Sequence, residues 1–573
     1  MQNTLPKTID PFMNWTWAEI EPFYQGLQDR SLSEETLDQW LADWTALAEL
    51  LEEMGGRLYV ATSIDTTDQQ AEERFTAFLD DIYQPSEAAD QRLKTKLLKS
   101  GLSREGLTTA LRNIRADEAI FQEQNLPLLA DLQKKGIIYD KLIGAQAITW
   151  DGEERTVTQM EPVYQALDRD GREIIWKLVH KRRLEDRAAI NENWIKLLNL
   201  RIRIAANAGM PDFRAYQWQR LKRFDYSPED CLSFHDAIEA AVVPAATRVY
   251  DRLRERNGLD SLRPWDLELD LSTYSFSFPP LEPFSESGDL EEKATHIFDQ
   301  VDPAFGEYFR RMRDEGLLDL ENRKGKAPGA YCIRFPVSRR PFIFMNAVGT
   351  HDNVQTMLHE SGHAFHVFEE DGLPYHLQHE IGSEFAEVAS MSMELLAAPY
   401  LEASKGGFYT EEEAARARIE HLEAAIQFWP YMAVVDAFQH WVYTDSDQAA
   451  DPANCDACWA DLWDRFIPAV DWTGLEDEKV TGWHRKLHIH TVPFYYVEYG
   501  LALLGAVQIW RNALDDQAGA LQSYRHALSL GGTVPLPALY QAAGARLAFD
   551  RETLSAAVKL LETTISRLEG SLA

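Results

Sequence analysis

Residues 357–369, Met-Leu-His-Glu-Ser-Gly-His-Ala-Phe-His-Val-Phe-Glu, contain the spacing His359-Glu360-x-x-His363, which constrains this chain more than any other stretch. Residues four apart on a helix lie about 40° apart around its axis, so both imidazoles point the same way, one turn above the other. Two imidazoles in that relation can grip one zinc ion. Glu360, one step round from His359, can take a proton from a water on the metal while staying outside the coordination shell. The flanks predict the helix: Thr350, Asp352 and Asn353 are N-cap candidates, Val354, Met357, Leu358, Ala364, Phe365 and Phe368 recur at helical spacing, and Gly372-Leu373-Pro374 ends it. Without a metal the same pattern is an amphipathic helix with histidines on its surface, so a further ligand has to decide.

A site of this kind needs a third protein ligand and an open position for water. A metzincin would place glycine at 366 and histidine at 369; His366 and Glu369 stand there instead and exclude that class. The stretch from Gly382 to Leu396 reads as a second helix with Ser383 as its cap, and Glu384, Glu387, Met391 and Glu394 share one face. Carboxylates on a face otherwise rich in Met, Phe and Leu are costly to bury unless a cation compensates them. A zinc ion would do so.

These two stretches, His-Glu-Ser-Gly-His-Ala-Phe-His and Glu-Phe-Ala-Glu-Val-Ala-Ser-Met-Ser-Met-Glu, resemble the thimet oligopeptidase and oligoendopeptidase F family of zinc peptidases. The resemblance implies one catalytic Zn²⁺ held by His359, His363 and Glu387, with Glu384 as the alternative ligand and Glu394 as an outer group orienting an imidazole. His366 reads as a structural hydrogen-bonding histidine, since a fourth ligand would close the site.

At 573 residues the chain exceeds what one compact core usually supports, so two lobes or an elongated helical body are expected. The 57 basic and 92 acidic residues leave a net charge of −35, which argues against a nucleic-acid or anionic-membrane partner. The first residues lack the charged-then-apolar pattern of a secretion signal, and no apolar run reaches the roughly 18 residues that span a membrane, so a cytoplasmic protein is expected. Cys231 and Cys332 stand alone, and Cys455 and Cys458 make one Cys-x-x-Cys without the second pair a structural zinc would want.

Residues 10–325 read mostly as helices. One has Ser33 as cap, a stripe of Leu37, Trp40, Leu41, Trp44, Leu47, Leu50 and Leu51, and Gly55-Gly56 as its stop. A hairpin or loop is expected within 137–158, around Asp151-Gly152, and charge-rich helices from Glu161 to about Ala206. The stretch from Asn199 to Met210, then Arg223-Phe224-Asp225-Tyr226, also resembles the family where its catalytic portion begins. This sets a boundary between an N-terminal helical region, 1–204, and a catalytic region, 205–573. Asp270 to Gly288 is a loop or lid candidate. Ala330 to Pro336 and Pro341 to Asn346 read as two strands of a small sheet with an exposed edge that could pair with an extended peptide, or that only braces the motif helix. Gly349 could let a substrate backbone approach closely.

Peptide hydrolysis also needs a neutral donor for the negative tetrahedral oxygen, and tyrosine stays protonated at neutral pH. The segment Lys486 to Gly500 looks like the His-and-Tyr stretch that faces the zinc in the same family, which makes His488, Tyr496 and Tyr499 the candidates, with His490 competing for the role of His488. The expectation is therefore a mainly α, two-lobed helical body with a deep channel and a small β-sheet next to the zinc-binding helix. It would cleave internal bonds of short unstructured oligopeptides, with Glu360 as general base and acid on a zinc-bound water. The alternatives are a zinc carboxypeptidase or dipeptidase on the same fold, or an inactive helical peptide-binding protein.

Overall fold

The computed structural model describes residues 4–166, 168–267, 281–323, 325–327 and 329–572. Helices dominate, as the apolar periodicity implies, and among the described residues five short strands interrupt them. Strands β1 (Ala147–Trp150) and β2 (Glu153–Thr156) form a hairpin about Asp151-Gly152. Strands β3 (Leu318–Glu321), β4 (Tyr331–Phe335) and β5 (Arg340–Ala347) form a sheet in the order β3-β5-β4. β4 pairs antiparallel with β5, register Cys332 to Ile343, whereas β3 pairs parallel. The two expected strands are present; β3, Leu-Asp-Leu-Glu, alternates apolar and polar but is only four residues long and was not expected. Among the described residues no helix is long and apolar enough to cross a membrane.

The chain divides into two compact units. The first comprises Met1–Glu118, Glu282–Glu411 and Gly505–Leu547; the second comprises Ala119–Leu281, Glu412–Leu504 and Ala548–Ala573. The expected boundary near residue 205 falls inside the helix Arg187–Asn207, within the second unit.

In the first unit the helix Leu37–Ile64 buries all of its expected stripe, with Trp40, Trp44 and Leu47 fully sequestered. Its cap is Thr36 rather than Ser33, and Gly55-Gly56 does not stop it. A β-carbon on Gly55 would lie 3.0 Å from Phe78, and one on Gly56 would lie 3.2 Å from Ile333 of β4. The pair therefore makes room for neighbours inside a continuous helix, and the buried stripe on either side outweighs the helix-propensity cost of about 1 kcal/mol per glycine.

In the second unit the helix Leu126–Gly144 takes up part of the expected extended interlude, so only 147–156 is β. The final helix Arg551–Leu572 follows Asp550, whose Oδ1 accepts from Thr553 N at 2.9 Å. Residues 270–280 of the lid candidate, Asp270 to Gly288, lie outside the described residues.

Candidate metal centre

The motif helix, His351–Glu369, is capped by Thr350 and Asn353 in a reciprocal capping box, and Asn353 Oδ1 also accepts from Val348 N at 2.7 Å. Its rear face is aromatic. Phe365 stacks on Phe305 at 4.7 Å and meets Phe298 edge-on at 4.9 Å, while Phe368 stacks on Tyr308 at 4.6 Å. This anchoring leaves the His359 and His363 face turned toward the next helix, Ser383–Ala397, which is capped by Gly382 rather than Ser383. The two helices touch at Gly362: a β-carbon there would lie 2.6 Å from Ser390 Cα and 2.7 Å from the Ala389 carbonyl oxygen. Only glycine permits that approach, and it brings Glu387 opposite the histidine pair.

Glu387 Oε2 lies 3.3 Å from His359 Nε2 and 3.8 Å from His363 Nε2, and the three residues form one cluster of donor atoms within 4.8 Å of one another. A tetrahedral zinc with bonds of about 2.0–2.1 Å to N and O separates its ligand atoms by roughly 3.3–3.5 Å. On its other side His359 donates Nδ1–H to Glu394 Oε1 at 2.7 Å, which directs Nε2 toward Glu387. Ser390 Oγ donates to Glu387 Oε2 at 3.0 Å and holds that carboxylate in place. The donor set and its spacing fit a divalent metal.

The electrostatics agree with that fit. Burial alone would lower the pKa of His359, but its hydrogen bonds to Glu387 and Glu394 and their charges hold it well above the usual histidine value. Glu387 is raised by burial, yet the same bond and both histidines bring it below its usual value. The pocket thus favours a positive charge between His359 and Glu387. His363, without such a bond, is pushed by burial down to about 4 and presents a neutral ring. Burial pushes Glu360 up to about 7, opposed by the charge of His359 and by a hydrogen bond from the backbone amide of Cys332 on β4. That bond ties an edge strand of the sheet to the candidate base, a link the sequence pattern did not suggest.

Glu384 is buried but stands outside the cluster, with its carboxylate beside Gly382. His366 is buried and bonds the backbone of Leu528, the structural role expected of it. Gly349, at φ +91°, is approached by the chain itself: a β-carbon would lie 2.8 Å from the Phe284 carbonyl oxygen. The close contact expected there with a substrate backbone is already made by Phe284.

In the second unit His488, Tyr496 and Tyr499 come together. The His488 ring lies 4.9 Å from that of Tyr496 and 6.1 Å from that of Tyr499, and Tyr495 packs on Tyr499 at 5.3 Å. Burial, with Lys486 adding to it, pushes His488 down to about 3, so the ring is neutral. His490 is instead sealed in the core, stacked on Tyr139 at 4.2 Å with Trp483 on it at 5.7 Å, which separates it from the partly exposed His488. Two fully buried arginines hold this segment. Arg201 bonds the carbonyls of Ile489 and His490, and Arg223 bonds the Phe494 carbonyl and, at 2.6 Å, Glu498. Phe494, at φ +68°, occupies a conformation unfavourable for a side chain of its size, held by its N–H to Gln439 Oε1 at 2.7 Å.

Comparison with known proteins matches a model of peptidase family M3 to residues 163–558. Among curated proteins, group B oligopeptidase PepB of Streptococcus agalactiae is 32% identical over 147 residues, 25% of this chain and 23% of that protein. Oligopeptidase PepF of Bacillus subtilis is 24% identical over 365 residues, 61% of this chain and 52% of that protein. The chain thus matches a quarter to a half of the length of these curated relatives. Among solved structures, Pz peptidase A with an inhibitor superposes with a TM-score of 0.85 at 26% identity, covering 99% of both chains. An oligoendopeptidase F structure does so with 0.86 at 25% identity, covering 99% of this chain and 98% of that one.

Proposed function

This chain belongs to peptidase family M3, and from that membership we propose that it is a zinc-dependent endopeptidase acting on internal bonds of short unstructured peptides. The observation that carries the proposal is the cluster of His359, His363 and Glu387 with Glu360 buried beside it. The names oligopeptidase and oligoendopeptidase borne by the relatives support short substrates. A zinc ion bound there would polarise the scissile carbonyl and acidify a water. His359, His363 and Glu387 would hold it, with Glu394 fixing the tautomer of His359.

Glu360 then takes a proton from the attacking water and returns it to the leaving amine. Its burial keeps it a strong enough base to do so, and the Cys332 amide orients it. His488, Tyr496 and Tyr499 are the proposed donors to the carbonyl oxygen as it gains charge, each a neutral group that donates without losing its own proton. Residues 205–573 carry this catalytic machinery in the proposal. None of the four cysteines is in a disulfide, which supports work in a reducing compartment such as the cytoplasm.

The test separates this reading from a carboxypeptidase or dipeptidase. A peptide acetylated at its N-terminus and amidated at its C-terminus is incubated with the zinc-loaded protein, and the products are sequenced by mass. Internal cleavage is the expected result; trimming only of the unblocked control would overturn the endopeptidase assignment.

A further inference from the structure

Two helices of the second unit repeat, with different donors, the spacing that built the first site. Cys231 and His235 are four apart on Pro228–Ala241, and Asp436 and His440 are four apart on Glu411–Thr444. All four side chains are buried, none above 3% exposed. Cys231 Sγ, a carboxylate oxygen of Asp436 and a ring nitrogen of His440 lie within 4.8 Å of one another. His440 Nε2 is 3.3 Å from Asp436 Oδ2, and His235 Nε2 bonds the same oxygen at 2.9 Å. Asp436 Oδ1 and His440 Nε2 are nonetheless buried without a hydrogen-bond partner. A buried carboxylate oxygen and a buried ring nitrogen left unsatisfied beside a thiol are costly, and a cation among them would satisfy both.

We propose that Cys231, Asp436 and His440 form a second transition-metal site, with His235 holding the Asp436 carboxylate in position. One thiolate, one imidazole and one carboxylate suit zinc, and exclude magnesium or calcium, which take oxygen ligands. The nearby cation is Arg214, whose Nη1 lies 3.3 Å from His440 Nδ1, the nitrogen away from the carboxylate; metal binding at Nε2 requires this guanidinium to turn aside. The site has a structural purpose. His440 packs edge-on against Phe494 at 5.3 Å, and its neighbour Gln439 holds the Phe494 amide, so the metal would brace the turn that leads into Tyr495, Tyr496 and Tyr499. The inference does not depend on the peptidase reading, since these residues lie in the second unit and outside the His359 cluster.

The two centres can be told apart by their donors, because the His359 cluster contains no thiolate. The protein carrying His359→Ala and His363→Ala is stripped of metal and titrated with Co²⁺. One equivalent should bind and give the near-ultraviolet thiolate-to-cobalt charge-transfer band, and adding Cys231→Ser should abolish the band while circular dichroism stays unchanged. Zinc analysis of the wild type should correspondingly give two equivalents per chain. One equivalent in the wild type, no band, or a band that survives Cys231→Ser would overturn the proposal and leave a metal-free His–Asp–His network. Should Cys231→Ser fail to fold, the wild-type zinc content and the band of the double variant still decide.

Discussion

Glu394 bonds His359 Nδ1 at 2.7 Å, which makes its removal a test of how that imidazole is oriented in the proposed metal site. Glu394→Gln keeps the shape and loses the charge, and metal affinity should fall about 10–100-fold, the usual effect of removing an outer carboxylate from a ligand histidine. Competition with a chelator of known affinity measures it; an unchanged affinity would contradict the assignment. Glu360 offers a second test. In metal-stripped protein its carboxyl should titrate near about 7, seen as an infrared band absent from Glu360→Gln, and added zinc should move that titration to lower pH. At this scale the sequence was most informative, because His359, Glu360 and His363 carry their geometry in helical spacing, while Glu387 was chosen over Glu384 by the family resemblance alone. It was silent about Ser390 and the Cys332 amide, which reach the site through contacts that no local pattern encodes.

Between elements, the approach of the motif helix to Ser383–Ala397 rests on Gly362. Gly362→Ala places a methyl group against backbone atoms that cannot rotate away, so the helices must separate. The expected cost is about 1–3 kcal/mol of stability, as for other overpacked cores, together with weakened metal binding because Glu387 moves with its helix. Thermal unfolding and metal content would show it; a variant with unchanged Tm and full metal occupancy would refute the argument. The same closeness shows why elements were legible to different degrees. The motif helix and the strands β4 and β5 follow from caps and apolar pattern. Gly55-Gly56 and Gly349 were misread because a glycine that makes room for Phe78, Ile333 or Phe284 looks, in sequence, like one that ends a helix or admits a substrate. Likewise nothing local in the sequence marks Arg201 and Arg223 as the residues that hold a segment nearly 300 residues further along the chain.

At the scale of the whole molecule, each compact unit is assembled from three separate stretches of chain, which local periodicity cannot reveal. Both units bury neutral histidines: His376 in the first, pushed down to about 4, and His180, His484 and His490 in the second, with His484 at about 3. Burial is the main cause in each. An unfolded histidine titrates near about 6.5; above that pH both states are neutral, and below it the unfolded chain takes up protons that the folded chain refuses. Stability should therefore be lost as pH falls from about 6.5, by up to about 1.4 kcal/mol per histidine per pH unit. A Tm clearly lower at pH 5 than at pH 7.5 is expected; an equal or higher Tm at pH 5 would contradict it.

Activity belongs to the molecule as a whole, and its direct test is cleavage of a mixed pool of peptides of roughly 6–20 residues, a range suited to an extended-strand site, by zinc-loaded wild type and by Glu360→Gln, read by mass spectrometry. Wild type should cut internal bonds, and the variant, still binding zinc, should be slower by about 10²–10⁴-fold. Equal cleavage by both proteins, or none by a wild type with zinc bound, would contradict the assignment of His359, His363, Glu387 and Glu360 as a peptidase centre.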